Sequence, residues 1–235
     1  MRKLIGVFLV LAFLFYLGSL ALPLLQDPTP AQLASVGADL IERAPAESGS
    51  VNVVTAVVVQ FRGLDTLGEV TVLFVSALGV AILAGALRDN AFREMFTDDG
   101  GFILQTGSRV LLPFVILVGA AIVLHGHLTP GGGFPGGVII ATAVLVVLFT
   151  GGMDRTPHRL LSVLEGAAGL AFVGLGMVGL SSPAQSFLAN TLPLGEFGTL
   201  LSAGLIPVMY AVVAIKVASE LSNVISGLTG EEAHA

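Results

Sequence analysis

The 235-residue sequence contains no cysteine and few charged side chains. The absence of cysteine excludes disulfide bonds, thiolate metal sites, iron–sulfur ligation and cysteine nucleophiles. Charged residues make up 11% of the chain, against about 25% in a typical soluble domain. A water-soluble fold of this length needs a largely polar exterior, which ten Lys and Arg with sixteen Asp and Glu cannot supply. The sequence therefore predicts a protein whose outer solvent is lipid.

The sign and distribution of the charges limit the partners. The net charge is -6 and the basic residues are scattered, whereas a nucleic-acid partner requires a basic patch for its phosphates. No soluble enzyme domain fits between the apolar segments. We therefore expect no nucleic-acid partner and no soluble enzyme domain. No cofactor is predicted.

Hydrophobic residues, 54% of the total, are concentrated in long uncharged runs. A helix needs roughly 20 mostly apolar residues to cross ~30 Å of hydrocarbon. The runs are continuous and do not alternate every second residue, which predicts helices and not barrel strands. The predicted fold class is all-α, a polytopic membrane protein with about six spans. These spans are residues 4–25, 70–87, 110–124 with an extension to 128, 137–153, 160–180 and 199–219.

The basic residues predict the orientation, because cytoplasmic loops retain Lys and Arg. An N-in, C-in topology leaves Arg43 and Arg62 outside and places every other Lys and Arg on the cytoplasmic side. The predicted location is the plasma membrane, crossed several times. The first span has an alternative, since its basic start and the Ser19-Leu20-Ala21 pattern are also typical of a cleavable signal peptide.

Loop composition divides the chain into two predicted modules. Residues 1–106 form a two-span module with an external loop, in which apolar residues at helical spacing over 31–43 predict a short surface helix. Residues 107–235 form a four-span module. The polar stretch 88–108, with its Thr-Asp-Asp-Gly-Gly turn signal, is interpreted as the internal loop that joins them.

The first candidate site follows an apolar run in VNVVTAVVVQFRGLDTLGE, residues 51–69. On a helix Asp65 and Glu69 share a face, and Arg62 lies within reach of Asp65. These carboxylates are candidates for a path of protons or cations. The alternative is a solvated rim in which the arginine offsets the acids.

The second candidate is HGHLTPGGGFPGG, residues 125–137, which predicts a tight irregular connection between the third and fourth spans. Its glycines also allow another helix to approach closely. The segment lacks the lysine of a phosphate-binding loop, and two histidines at i, i+2 do not face one side of a helix, so no metal site is predicted. A protonation role for the histidines stays open. The residues expected to shape this loop are His125, His127, Pro130, Gly131, Gly132, Gly133, Gly136 and Gly137.

The remaining candidates are charged residues inside predicted spans. Glu165 interrupts the fifth span, and an intramembrane acid faces protein or water by default. Lys216 near the end of the sixth span is spaced for a pair with Glu220. The alternative for Glu165 and Lys216 is snorkelling to the cytoplasmic interface.

Two stretches carry a family resemblance. HGHLTPGGGFPGG together with VAIKVASELSNVI resembles the B subunit of Mrp-type multisubunit Na+/H+ antiporters, MnhB or MrpB. NVVTAVVVQFRGLDTLGEVTVLFVSALGV is similar to the C-terminal region of the large A subunit, MrpA, of the same system. Membrane-bound hydrogenases carry counterparts as separate small subunits, MbhE and MbhF. The resemblance covers residues 49–87 and 107–225.

This resemblance implies a non-catalytic subunit of an antiporter or of a related redox-driven ion-translocating complex that moves Na+ and H+. Partners would be subunits like A, C, D, E, F and G, the lipid bilayer and, in a redox-driven complex, a hydrogenase-like arm. Glu69 matches the glutamate of the family's DTLGE motif and becomes the leading ion-path candidate. The alternatives are a pure assembly scaffold and a self-sufficient small transporter, although the expected inverted repeat is not evident.

Overall fold

The computed structural model describes residues 6, 10–16, 18, 19, 30–87, 101–150 and 158–228. All regular structure in these ranges is helical, as predicted from the continuous apolar runs. From residue 30 to residue 228 the described residues form seven α-helices, α1 Pro30–Ser48, α2 Val53–Thr55, α3 Gly63–Leu87, α4 Gly101–Leu124, α5 Gly133–Phe149, α6 His158–Ser181 and α7 Ile206–Leu228. A π-helical segment, Ala56–Phe61, continues α2.

The chain divides into two compact units, Met1–Arg43 and Ala44–Ala235. In the first unit the described part of the predicted span 4–25 is helical, and the rest of that span lies outside the described residues. The predicted helix over 31–43 is confirmed within α1, where exposed Asp39 and Arg43 form an ion pair of 3.4 Å. The predicted modules 1–106 and 107–235 stay a prediction.

Helix α7 is the centre of the second unit and contacts α3, α4, α5 and α6. Its apolar residues recur every three or four positions, from Ile206 through Met209 and Val213 to Val217, and all four are almost fully buried. Half of the α7 span is buried, against 11% of the α3 span. The outer faces of the other helices are apolar and exposed, which suits contact with lipid or with other membrane subunits.

Four described helices are long and apolar enough to cross a membrane, and the protein is a multi-pass membrane protein. These segments are Gly63–Leu83, Gly101–Leu124, Arg159–Ser181 and Ile206–Ser226. Helix α5 is also apolar but has 17 residues. The count of six spans and the N-in, C-in orientation stay predictions.

Several helix boundaries differ from the predicted span boundaries. The helix that contains the predicted second span begins at Gly63, seven residues before Val70. Residues 101–108, which the sequence predicts as part of a loop, are the first turns of α4. Ser108 is buried there, and its hydroxyl donates to the Gln105 carbonyl one turn earlier. The extension of this span through Leu128 is also wrong, because α4 ends at Leu124 and a turn follows.

The last span is displaced toward the C-terminus relative to the predicted 199–219. Residues 199–205 are turns, in which Ala203 and Gly204 have φ of 67° and 54°. Helix α7 begins at Ile206 with Pro207 in its first turn, where the missing N–H costs nothing. The Asn190 side chain fixes this start, because it accepts from the Leu205 N–H at 2.9 Å.

Candidate functional site

The carboxylates of the DTLGE segment lie at the start of α3. Asp65 is in the first turn, where it complements the helix dipole, and it forms an ion pair with Arg62. Both side chains are at least half exposed. Glu69 is exposed one turn later, and within the described residues it has no side-chain partner. A titratable carboxylate is therefore accessible at this position.

The threonine of the same motif has a structural role. Thr66 is buried, and its hydroxyl donates to the Val58 carbonyl at 2.7 Å. That carbonyl belongs to the π-helical segment, in which the Arg62 N–H reaches the Val57 carbonyl at 2.8 Å, one residue beyond α-helical spacing. Single π turns are frequent at functional sites. The DTLGE motif therefore supports an irregular backbone directly before α3.

The histidine and glycine loop is held by a polar cluster that we call the loop cluster, formed by Ser50, Asn52, Thr55, His127 and Tyr210. Ser50 Oγ donates to the His127 carbonyl at 2.8 Å, and Thr55 Oγ1 donates to the Gly126 carbonyl at 2.8 Å. Tyr210 on α7 donates to Thr55 Oγ1 at 2.7 Å. Asn52 Nδ2 reaches the carbonyls of Gly126 and Thr129. These bonds join segments that are distant in sequence.

The two histidines of the loop point to different partners. His125 is exposed in the turn after α4, and its Nδ1 lies 2.9 Å from the Ala121 carbonyl in the last turn of that helix. His127 is fully buried and its Nε2 lies 3.2 Å from the Thr199 carbonyl. Burial lowers the pKa of His127, because it disfavours the charged imidazolium, although the bond to Thr199 opposes this shift. This shift favours the neutral ring, and Nε2 is the donor in the bond because the Thr199 carbonyl can only accept.

The glycines that follow the loop allow α5 to lie against α7. A Cβ at Gly133 would lie 2.7 Å from the Tyr210 carbonyl oxygen, and one at Gly137 would lie 2.9 Å from the Ala214 carbonyl oxygen. Gly132 packs on the Tyr210 ring and has φ of 130°, a conformation that favours glycine. The expected close approach of a helix is thus observed.

One detail of the predicted loop is wrong. Gly133, Pro135, Gly136 and Gly137 are not in an irregular connection but in the first turns of α5. Proline is tolerated in a first helical turn because the N–H there has no intrahelical acceptor. The irregular part therefore ends at Gly132.

The charged residues inside the spans, Glu165, Lys216 and Glu220, meet the amide of Asn223, and we call these four residues the charge cluster. Lys216 Nζ lies 2.8 Å from Glu220 Oε2 and 3.5 Å from Glu165 Oε1. Asn223 Nδ2 donates to Glu165 Oε2 at 2.7 Å. The side chains of Lys216 and Glu220 are 7% and 1% exposed, so Lys216 does not snorkel to water in this unit.

Phe74 of α3 completes the surroundings of the ammonium group, with Lys216 Nζ 5.1 Å from its ring centre. This geometry permits a cation–π contact. Sequence reasoning missed Phe74 and Asn223. The spacing of Lys216, Glu220 and Asn223 at i, i+4 and i+7 places all three on one helix face and was a usable signal for Asn223. No such signal exists for Phe74, because its contact is made between α3 and α7.

The described ion pairs therefore separate the predicted site residues into two groups. Glu165 and Lys216 meet across α6 and α7, Lys216 also forms the pair with Glu220 that their spacing predicts, and the structure adds Asn223. Asp65 pairs with Arg62 and, like Glu69, has no ion pair with the charge cluster in the described part of the chain.

Comparison with known families gives two matches that divide the chain between them. The profile of a family described as a domain related to the MnhB subunit of Na+/H+ antiporter matches residues 103–223. The profile of the MbhE family, described as the E subunit of MBH, matches residues 1–93.

Similar proteins carry related names. An uncharacterized protein of Methanocaldococcus jannaschii is 31% identical over 73% of this chain and 74% of its own length. A probable A/B subunit of a K(+)/H(+) antiporter of Rhizobium meliloti is 31% identical over 60% of this chain but only 16% of its own length. The B subunit of a Na(+)/H(+) antiporter of Bacillus subtilis is 33% identical over 42% of this chain and 68% of that protein.

Two solved structures share the fold. A chain of the membrane-bound sulfane sulfur reductase, an archaeal respiratory membrane complex, matches with TM-score 0.75 and 40% identity over 97% of this chain and 98% of its own. A chain of the Mrp complex from Dietzia sp. matches with TM-score 0.72 and 26% identity over 99% of this chain and 26% of its own. Because the MnhB-related profile covers more than half of the sequence, this chain belongs to the family of membrane proteins related to the MnhB subunit of Na+/H+ antiporters.

Proposed function

We propose that this chain is a non-catalytic, multi-pass subunit of a multisubunit complex in the plasma membrane that exchanges Na+ and H+, either an Mrp-type antiporter or a related redox-driven ion-translocating complex. The observation that carries the proposal is the end-to-end match, 97% of this chain and 98% of its counterpart, with one chain of a respiratory membrane complex. The match to a quarter of a longer chain in an Mrp complex supports the same role.

The surface of the second unit supports a role among partner subunits. Large apolar residues are exposed along α3, α4 and α6, for example Val72, Leu117 and Leu170. Such faces require lipid or other membrane helices. We propose that sister subunits like A, C, D, E, F and G cover part of them, and that any redox centre lies on a partner chain.

Glu69 is the proposed contribution of this chain to the ion path. Its carboxylate is exposed at the start of α3, so it can exchange a proton for Na+ through oxygen coordination. Asp65 is already paired with Arg62 and is less suited to this exchange.

Glu69→Gln is expected to lower Na+-dependent exchange strongly while the complex still assembles, because glutamine preserves size but not the titratable charge. The measurement is Na+-dependent ΔpH in everted vesicles from a deletion strain that carries wild-type or variant chain at matched complex abundance. The deletion strain itself should show no such exchange. Asp65→Asn is the control, and its effect should be small because an exposed ion pair contributes only ~0–1 kcal/mol. Wild-type exchange in Glu69→Gln would reduce the role of this chain to a scaffold.

A further inference from the structure

We propose that the charge cluster binds one small hard cation, a proton or Na+, on the carboxylate of Glu220, which lines a cavity between α3, α6 and α7. The role of this site in transport rests on the proposed function. The binding itself rests on the geometry of the second unit.

The charges of the cluster do not balance. Glu165 and Glu220 supply two carboxylates, whereas Lys216 supplies one ammonium group, so the fully ionised cluster has an excess negative charge. The described neighbours do not compensate for it, because α5 has no charged residue, and Arg109 of α4 and Arg159 of α6 are exposed and form no ion pair with the cluster in the described residues. The face of α3 toward the cavity is apolar. An uncompensated charge is unfavourable inside a membrane protein, and one bound cation removes it.

The hydrogen bonds show which oxygen is available for that cation. Both oxygens of Glu165 have partners, Oε1 the Lys216 ammonium and Oε2 the Asn223 amide. Glu220 Oε2 accepts from Lys216, but the buried Glu220 Oε1 has no hydrogen-bond partner in the described residues. A buried carboxylate oxygen is normally paired. Lys216 and Asn223 are positioning residues in this arrangement, and Glu220 is the binding residue.

A cavity of about 200 Å³ adjoins the cluster. Its polar lining consists of Glu165, Glu220, Asn223 and Ser162, all of which carry oxygen atoms. Hard cations prefer oxygen ligands, and a proton binds to a carboxylate directly. The Glu165 side chain is 20% exposed, so the described residues do not fully enclose the cluster.

Glu220→Gln tests the proposal in the purified membrane complex that contains this chain. The variant leaves Lys216 paired with Glu165, which is electrically neutral, so assembly should be unchanged. In the wild type we expect a carboxyl infrared band that titrates with pH, and this band should be absent from the variant. Na+-dependent exchange should fall about tenfold, the factor that corresponds to ~1.4 kcal/mol. Glu196→Gln, in an exposed loop, is the matched control.

Titrating the purified complex with Na+ distinguishes the two cations. If Na+ is the bound cation, adding Na+ removes the carboxyl band and releases or absorbs a binding heat that Glu220→Gln lacks. If the proton is the bound cation, adding Na+ leaves the carboxyl band unchanged. An assembled Glu220→Gln complex that keeps the titrating band would overturn the proposal. If the glutamine variant does not assemble, Glu220→Asp replaces it, and this variant should retain the carboxyl band. Loss of the carboxyl band from an assembled Glu220→Asp complex would contradict the proposed site. A wild-type complex without Na+-dependent exchange refutes the proposed function without affecting these binding signals.

Discussion

Replacing Lys216 with methionine is expected to lower the free energy of unfolding by about 3–5 kcal/mol, because it leaves the buried Glu220 carboxylate and the partly buried Glu165 without their shared cation. The Lys216 side chain is 7% exposed and contacts both carboxylates, so its loss leaves them without a counter-charge. The observable result is a sharp loss of the chain from membranes. Immunoblotting of membranes and thermal denaturation of the detergent-solubilised complex measure it.

A second substitution separates lost charge from lost packing in this variant. Lys216→Met combined with Glu220→Gln removes the buried carboxylate as well, and we expect it to restore a large part of the abundance. Lys216→Arg keeps the charge and should be tolerated better than methionine. Wild-type abundance of the single methionine variant would show that the pair with Glu220 contributes little to folding.

Valine at Gly133 is expected to separate α5 from α7 and to prevent assembly of the complex. The Cβ alone would lie 2.7 Å from the Tyr210 carbonyl oxygen and 2.8 Å from Val213 Cβ. The carbonyl oxygen is a backbone atom, so no side-chain rotation relieves the clash. Overpacking of this kind lowers the free energy of unfolding by ~1–3 kcal/mol. The effect should be visible as a loss of complex on native gels.

Gly79→Val is the matched control for Gly133→Val. Gly79 lies inside α3, and a Cβ there meets no atom of this chain within 4 Å. Normal yield of Gly133→Val would mean that α5 and α7 can move apart without consequence, and the glycines would then serve only as flexible residues.

The features that the sequence predicts best are those set by local composition. The uncharged run within α3 and the irregular backbone at 125–132 follow from apolar content and from glycine, and both are observed. The predicted end of the last span is wrong for a physical reason. Considered alone, the charges of Lys216 and Glu220 indicate the end of a membrane span. In the structure the two side chains neutralise each other, so the helix continues past them to Leu228.

The features that could not be predicted depend on contacts between distant segments. The bond of Tyr210 to Thr55 joins positions 155 residues apart. The π-helical turn before α3 depends on Thr66, whose hydroxyl satisfies the Val58 carbonyl. A run such as AVVVQF is apolar in either helical geometry, so its hydrophobic pattern does not distinguish them. The contact of Phe74 with the Lys216 ammonium group could not be predicted either, because the two residues lie on different helices.

The most direct test of the proposed role is purification of the chain with its native partners. The chain is tagged at its chromosomal locus, the membranes are solubilised in a mild detergent, and the co-purifying proteins are quantified by mass spectrometry. We expect antiporter-type sister subunits in a constant ratio to this chain, and Na+-dependent proton movement after reconstitution of the purified material into vesicles. A folded chain that purifies alone, or that exchanges Na+ and H+ by itself, would contradict the proposed role.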